Sequence, residues 1–289
     1  MSKLVIIGDS FYAHSLALKL REKEDNLSIT LVSKENQHPY DHSKLVDFLN
    51  NSISEEKLFF CQEDLYKEKN INLLKDREIT GMNTTKRVIY FKNKDRLEYD
   101  FLVIATDRIP KFPDIPGIRK KEVYNFYFLD EVKRFLNQFI MQPVCLVGSD
   151  DLALRMAKAV AERFNTEVKL VGSTYFNKEI NTPNIEVINS SLVQIIGEGE
   201  VQAVKLKEGK VIAVSAVLFM DNYRSDIEFL KGTEIYLQDD YILVDEFMQT
   251  NIRDIFAIGS ITNRTNPEAI SILTDSLIHR IKEGVNNYG

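Results

Sequence analysis

Tryptophan is absent from the 289 residues, so a planar ligand that stacks here must use one of the 17 Phe or 12 Tyr. Only two cysteines occur, Cys61 and Cys145, and there is no CxxC. That excludes a redox-active dithiol of the usual spacing and a cysteine-rich zinc site. Cys145 lies inside an apolar strand and reads as a small core residue; Cys61, in "LFFCQED", reads as a buried or half-buried thiol. The four histidines, His14, His38, His42 and His279, show no metal spacing. No nucleophile elbow, P-loop or zincin helix is present. No apolar run is long enough to span a bilayer, and the N-terminus carries no signal-like segment, so the expectation is a cytoplasmic protein with no membrane partner. An excess of basic charge is also missing. The 37 Lys and Arg against 43 Asp and Glu leave a formal net charge of −6, which argues against a nucleic-acid partner.

What is present is an internal duplication. "LVIIGDSFYAHSLALKLREKEDNLSITLVS" and "VCLVGSDDLALRMAKAVAERFNTEVKLVG" each hold an apolar run, a turn opening with Gly, a helical segment and a second apolar run. From Gly8 to Ser33 is 25 positions, and from Gly148 to Gly172 is 24. Ala13, Leu16, Ala17 and Leu20 make one helix face in the first copy; Leu152, Met156, Ala159, Val160 and Phe164 do so in the second. Two βαβ units at matching spacing predict an α/β fold of two Rossmann-like, three-layer (ββα) dinucleotide-binding modules. The polar stretch after the first unit, from Lys34 to Phe60, reads as a loop and one or two short helices. A β-hairpin, "REITGMNTTKRVIYFKN", and the strand "YDFLVIAT" follow. The proline-rich "RIPKFPDIPG" (108–117) reads as a connector. The expected division is 1–110 plus 239–289 for the first module and 111–238 for the second. A closing helix is expected over 267–286, with Ile270, Leu273, Leu277 and Ile281 on its buried face. The "REKED" run at 21–25 is read as a solvated helix end.

The order of these blocks resembles one family, the FAD-dependent pyridine nucleotide–disulfide oxidoreductases, in their dithiol-lacking branch of NADH:rubredoxin and ferredoxin reductase-like enzymes. "HPYDHSKL" is similar to their P-Y-x-R-P-x-L loop, "IRDIFAIGSI" to their strand ending A-A-G-D, and "VLFMDNYRSDIEFLKG" to their A-I-G-x-x-P-N-x-x-L segment. The resemblance covers almost the whole chain and stops where that family's C-terminal dimerising domain would begin, so it leaves the oligomeric state open. It implies FAD on the first module, completed by the terminal strand–helix block, and NAD(P) on the second.

In the first turn the resemblance points to Gly8, Ser10 and Ala13. Glycine is wanted for the tight turn, for close approach to a pyrophosphate and for helix packing. Gly8 keeps the first role, Ser10 replaces the second glycine, and Ala13 is small enough for the third; the alternative is a bare structural turn. The acid expected at the end of the second strand is Ser33 here, followed by Lys34 and by Glu35 as a possible substitute for the ribose contact. Thr106-Asp107 stands for the family's Thr-Gly, and Gly259-Ser260 for its Gly-Asp. His42 stands at an arginine position, as an FAD contact or as a solvated loop residue.

The second turn departs further. Asp150 replaces the close-approach glycine, Asp151 adds a carboxylate, and Gly172 replaces the ribose-binding acid. Two like charges at about 4 Å repel by roughly 4 kcal/mol at a surface-like dielectric. The segment "GSTYFNKEINTPN" predicts a shortened helix. Asp47 and Arg155 occupy positions that hold a Lys–Glu pair in the family, which implies either a pair of reversed sign between the modules or two unrelated surface charges. The expected function is therefore an FAD-binding flavoprotein oxidoreductase. It would transfer electrons to or from a redox protein partner, with the NAD(P) site lost. A non-catalytic scaffold and an ordinary NAD(P)H:acceptor reductase stand as alternatives.

Overall fold

The structure is a computed structural model that describes residues 1–138, 142–172, 182–264 and 266–286. The chain forms two compact units. One comprises Met1–Asp41, Phe59–Arg108 and Ser225–Gly289; the other comprises His42–Leu58 and Ile109–Arg224.

The first unit is built on strand β1 (Lys3–Ile7), helix α1 (Phe11–Lys23), strand β2 (Ser28–Val32) and strand β3 (Ile71–Leu74). Its five-stranded sheet runs Ile255–Ala257, Phe101–Ile104, β1, β2, β3, all parallel. The central strands are near-continuous apolar runs because both faces of a parallel sheet are covered. Leu4, Ile6, Leu102 and Val103 are all fully buried. Ile7 pairs with Val32 on one side and Ile104 on the other, so β1 ends level with both neighbours. The chain leaves β1 toward β2 on one side and meets the Phe101 strand on the other. That is the topological switch point, where α/β sheets open a crevice at their carboxyl ends. The predicted face of α1, Ala13, Leu16, Ala17 and Leu20, is wholly buried, as are Leu273 and Leu277 of the closing helix Ala269–Asn286. An antiparallel sheet of Ile79–Asn83, Val88–Phe91 and Arg96–Glu98 is the insertion before the Phe101 strand.

The second unit repeats the plan. Its parallel sheet runs Ile185–Asn189, Val168–Gly172, Val144–Val147, Ala216–Phe219, Val123–Asn125. An antiparallel sheet of Leu192–Ile196, Ala203–Leu206 and Val211–Ala213 precedes the Ala216 strand. Cys145 sits fully buried in the central strand, and burial pushes its thiol up to about 12. The α/β fold of two Rossmann-like modules is thus observed, down to the matching insertions.

Two segments group differently from the boundaries read in the sequence. Residues 225–238 join the first unit because Ile227, Phe229, Leu230 and Ile235 enter its core. Residues 42–58 join the second. There Arg163 donates to the Leu49 carbonyl at 2.5 Å, and Lys133 pairs with Glu55 at 2.6 Å. Arg155 and Asp47 do meet, at 3.5 Å, but as an exposed pair within that second unit. The shortened helix expected over "GSTYFNKEINTPN" falls largely on 173–181, outside the described residues. The "REKED" run is not simply solvated. Arg21 is buried, and its guanidinium donates to the carbonyls of Glu24, Asp25, Leu27 and Asn70, tying the end of α1 to the strands beside it.

Candidate cofactor site

The first turn begins at Gly8, whose φ is +129°, a backbone state that favours glycine. A Cβ there would lie 2.2 Å from the Ala105 carbonyl oxygen, so the turn presses directly on the end of the neighbouring strand. Ser10 is the N-cap of α1. Its hydroxyl accepts from the Ala13 N–H at 3.2 Å and donates to the Ala105 carbonyl at 2.7 Å. The side chain is therefore committed to the fold, and what this turn still offers an anion is backbone N–H at the helix start.

At the end of β2, Ser33 is fully buried. Its hydroxyl lies 3.2 Å from the Asp9 carboxylate and 3.2 Å from the Glu35 carbonyl. The Glu35 carboxylate accepts from the Tyr40 hydroxyl at 2.9 and 3.0 Å. Lys34 pairs with Asp226 at 3.1 Å. At the other strand end, Ser260 donates to the Asp107 carboxylate at 3.0 Å and accepts from the Arg108 N–H at 3.2 Å. The two residues that depart from the family pattern at 107 and 260 are thus bonded to each other. Gly259, with φ +96°, lets the chain pass the Tyr12 ring, which a Cβ would approach to 3.0 Å.

Among the described residues, the buried Thr106 hydroxyl oxygen meets no hydrogen-bond partner. Such a group is costly to leave unsatisfied. Together with the Gly8 turn and the backbone N–H groups at the helix start, it is a donor set that fits the phosphate and sugar portion of a dinucleotide. His42 lies in the second unit, its ring stacked on Tyr127 at 4.2 Å and its Nδ1 3.1 Å from the Tyr127 carbonyl oxygen.

The second turn has the same skeleton and opposite chemistry. Asp150 is the N-cap of the helix Asp151–Phe164, and its carboxylate accepts from the Ala153 N–H at 2.8 Å. This is the same bond that Ser10 makes in the first copy, now made by an anion. Gly148 is required because a Cβ would lie 2.4 Å from that of Ala153. Gly172 is packed against the turn, and a Cβ there would meet the Gly148 oxygen at 2.5 Å and the Ser149 hydroxyl at 2.7 Å. Ser149 in turn bonds Asp221 at 3.2 Å. Burial, then the carboxylates of Asp150 and Asp221, hold the Tyr223 phenol above its ordinary range. A pyrophosphate does not fit this turn as it stands. Its cap is an anion standing at the close-approach position, where it opposes the phosphates.

Two dinucleotide-type modules, each with a glycine turn at its switch point, define a nucleotide-dependent α/β protein class. Residues 2–275 match the pyridine nucleotide-disulphide oxidoreductase family, and the chain belongs to it. It is 25% identical over 284 residues to the NADH oxidase of Methanocaldococcus jannaschii, covering 89% of this chain and 62% of that protein. It is 21% identical over 287 residues to the NADH-rubredoxin oxidoreductase of Clostridium acetobutylicum, covering 94% of this chain and 71% of the other. The chain thus spans less than two thirds of the first relative and rather more of the second. Among solved structures, the covalent putidaredoxin reductase–putidaredoxin complex matches with a TM-score of 0.83 at 18% identity, over 95% of this chain and 75% of the other. No helix among the described residues is long and apolar enough to cross a membrane.

Sequence reasoning assigned no role to Asp9 and treated Asp107 and Ser260 as separate departures. The local signal was there, a carboxylate directly after Gly8. Nothing in the sequence tells that Asp107 and Ser260, 153 positions apart, are partners.

Proposed function

We propose that this chain is an FAD-binding flavoprotein oxidoreductase that passes electrons between its flavin and a redox protein partner in the cytoplasm. The observation that carries this reading is the contrast between the two turns. The first keeps a neutral cap and the unsatisfied Thr106 hydroxyl. The second supplies its own anion through Asp150. On this reading FAD occupies the first module, held along Gly8, Ser10, Ala13, Ser33, Lys34, Thr106, Asp107, Gly259 and Ser260. The bound flavin would supply the redox chemistry. The chain contributes backbone N–H groups for the phosphates and a buried hydroxyl awaiting an acceptor or donor. Glu35 is already engaged by Tyr40, which favours a structural role for it. His42 belongs with the residues that follow the first module's loop. Support for a protein partner comes from the relatives, one described as an NADH-rubredoxin oxidoreductase and one solved in complex with putidaredoxin. Entry of hydride from NAD(P)H on the second module is not part of the reading, because of Asp150.

The visible spectrum of the purified chain tests this. The expected result is flavin absorption, retained or taken up from added FAD, that NADH does not bleach. A protein that stays colourless in excess FAD overturns the proposal and favours the scaffold reading. Bleaching by NADH would return the pyridine nucleotide as electron donor.

A further inference from the structure

The geometry points to Asp9 as the carboxylate that recognises the adenosine ribose in the first module, in place of the acid missing at Ser33; this rests on the FAD reading above. In a dinucleotide-binding βαβ unit, an acidic side chain about 20 residues beyond the glycine turn takes the ribose hydroxyls. Here that strand end carries Ser33, which has no charge to offer. Yet a carboxylate stands at the same place. Asp9 reaches across from the turn, and its Oδ2 lies 3.2 Å from the Ser33 hydroxyl. Ser33 is fully buried and shares its hydroxyl among Asp9 and two backbone carbonyls, of Glu35 and Gln37. It therefore acts as a clamp for the displaced acid.

Asp9 is available for such work. A carboxylate has about four acceptor sites, and the Ser33 bond takes one. Among the described residues it has no cation within ion-pair distance. The lysine next to Ser33, Lys34, is paired with Asp226. The other acid of this loop, Glu35, has Tyr40 on both its oxygens. Asp9 is half-buried, so it is sheltered and still reachable from the crevice. The second module is arranged differently at this strand end. The counterpart of Asp9 is Ser149 and that of Ser33 is Gly172, so neither position is acidic, and the Ser149 hydroxyl, packed beside Gly172, bonds the Asp221 carboxylate from a third strand end.

A competing view places Asp9 against the phosphates, where its charge would repel them. The two views predict opposite signs. Asp9→Asn keeps an acceptor for Ser33 and removes the charge. If Asp9 holds the ribose, this variant weakens FAD binding by roughly tenfold to a hundredfold. Binding of FMN, which lacks the adenosine, then stays within about twofold of the unaltered protein. Adding Ser33→Asp to Asp9→Asn, which returns the acid to the strand end, restores most of the lost affinity. Equilibrium titration followed by flavin fluorescence measures all three, and the thermal midpoint of each apoprotein checks that it is folded. Unchanged or tighter FAD binding by Asp9→Asn overturns the inference and leaves the FAD reading standing. Failure of the unaltered protein to bind FAD at all overturns both.

Discussion

At the scale of single residues, burial decides what a side chain is for. His14 lies on the covered face of α1, with Nδ1 2.8 Å from the Tyr66 hydroxyl and its ring stacked on Phe60. Burial first, and the charge of His38 second, lower its pKa from 6.5 to about 4. The folded chain thus holds His14 neutral in a range where the unfolded chain protonates it. Its contribution to stability is complete above pH 6.5, falls as the pH drops from 6.5 to 4, and falls no further below that. Thermal midpoints measured across this window should decline in the unaltered protein, and decline less in His14→Gln. Arg21 is the second case. Its guanidinium is buried and holds four backbone carbonyls around the end of α1. Arg21→Ala is expected to cost about 2–3 kcal/mol in urea unfolding, because four carbonyls lose a charged donor and that of buried Leu27 is cut off from water. By contrast, Arg155 and Asp47 are 52% and 45% exposed, a setting in which an ion pair contributes about 1 kcal/mol or less.

Elements come next, and here the glycine turns matter most. Gly8 joins β1 to α1 at positive φ, against the backbone of Ala105. The obstruction is main chain, which cannot rotate away as a side-chain tip would. Gly8→Ala should therefore destabilise the chain by roughly 3 kcal/mol or more. It should also release the flavin, since the same turn carries the helix start toward the phosphates. Retention of both fold and flavin in this variant would show that the turn has room the geometry denies. The two helices that follow the turns are nearly interchangeable in design. Each is capped by the residue at the second glycine position, and each cap bonds the N–H three residues on. Only the charge of the cap differs.

For the whole molecule, that difference becomes a difference in what stabilises it. A ligand that binds the folded state raises the unfolding temperature, by about 2.7 kcal/mol at a hundred times its dissociation constant. FAD is expected to raise the midpoint of the apoprotein, and NADH at millimolar concentration to leave it unchanged. In Asp150→Gly the NADH response should appear, because the anion is removed and the close-approach position is released. Scanning calorimetry reads all of these. An NADH shift in the unaltered protein would mean that the second module accommodates its carboxylates by some rearrangement.

The sequence by itself determined the α/β class, the duplication, the helix faces and the core place of Cys145. These follow from apolar periodicity and from spacing, which are local properties of a chain that must bury parallel strands on both faces. It also exposed Asp150 as foreign to a pyrophosphate turn, since a carboxylate is a carboxylate wherever it stands. What only the tertiary structure decided were the partnerships across distance. Ser33 meets Asp9, and Ser260 meets Asp107, because parallel strands remote in sequence end side by side. Arg21 turns inward because four carbonyls converge on it. Residues 42–58 group with the second unit because that unit's helices offer them cover. Side-chain periodicity records which face is buried, but not which neighbour buries it.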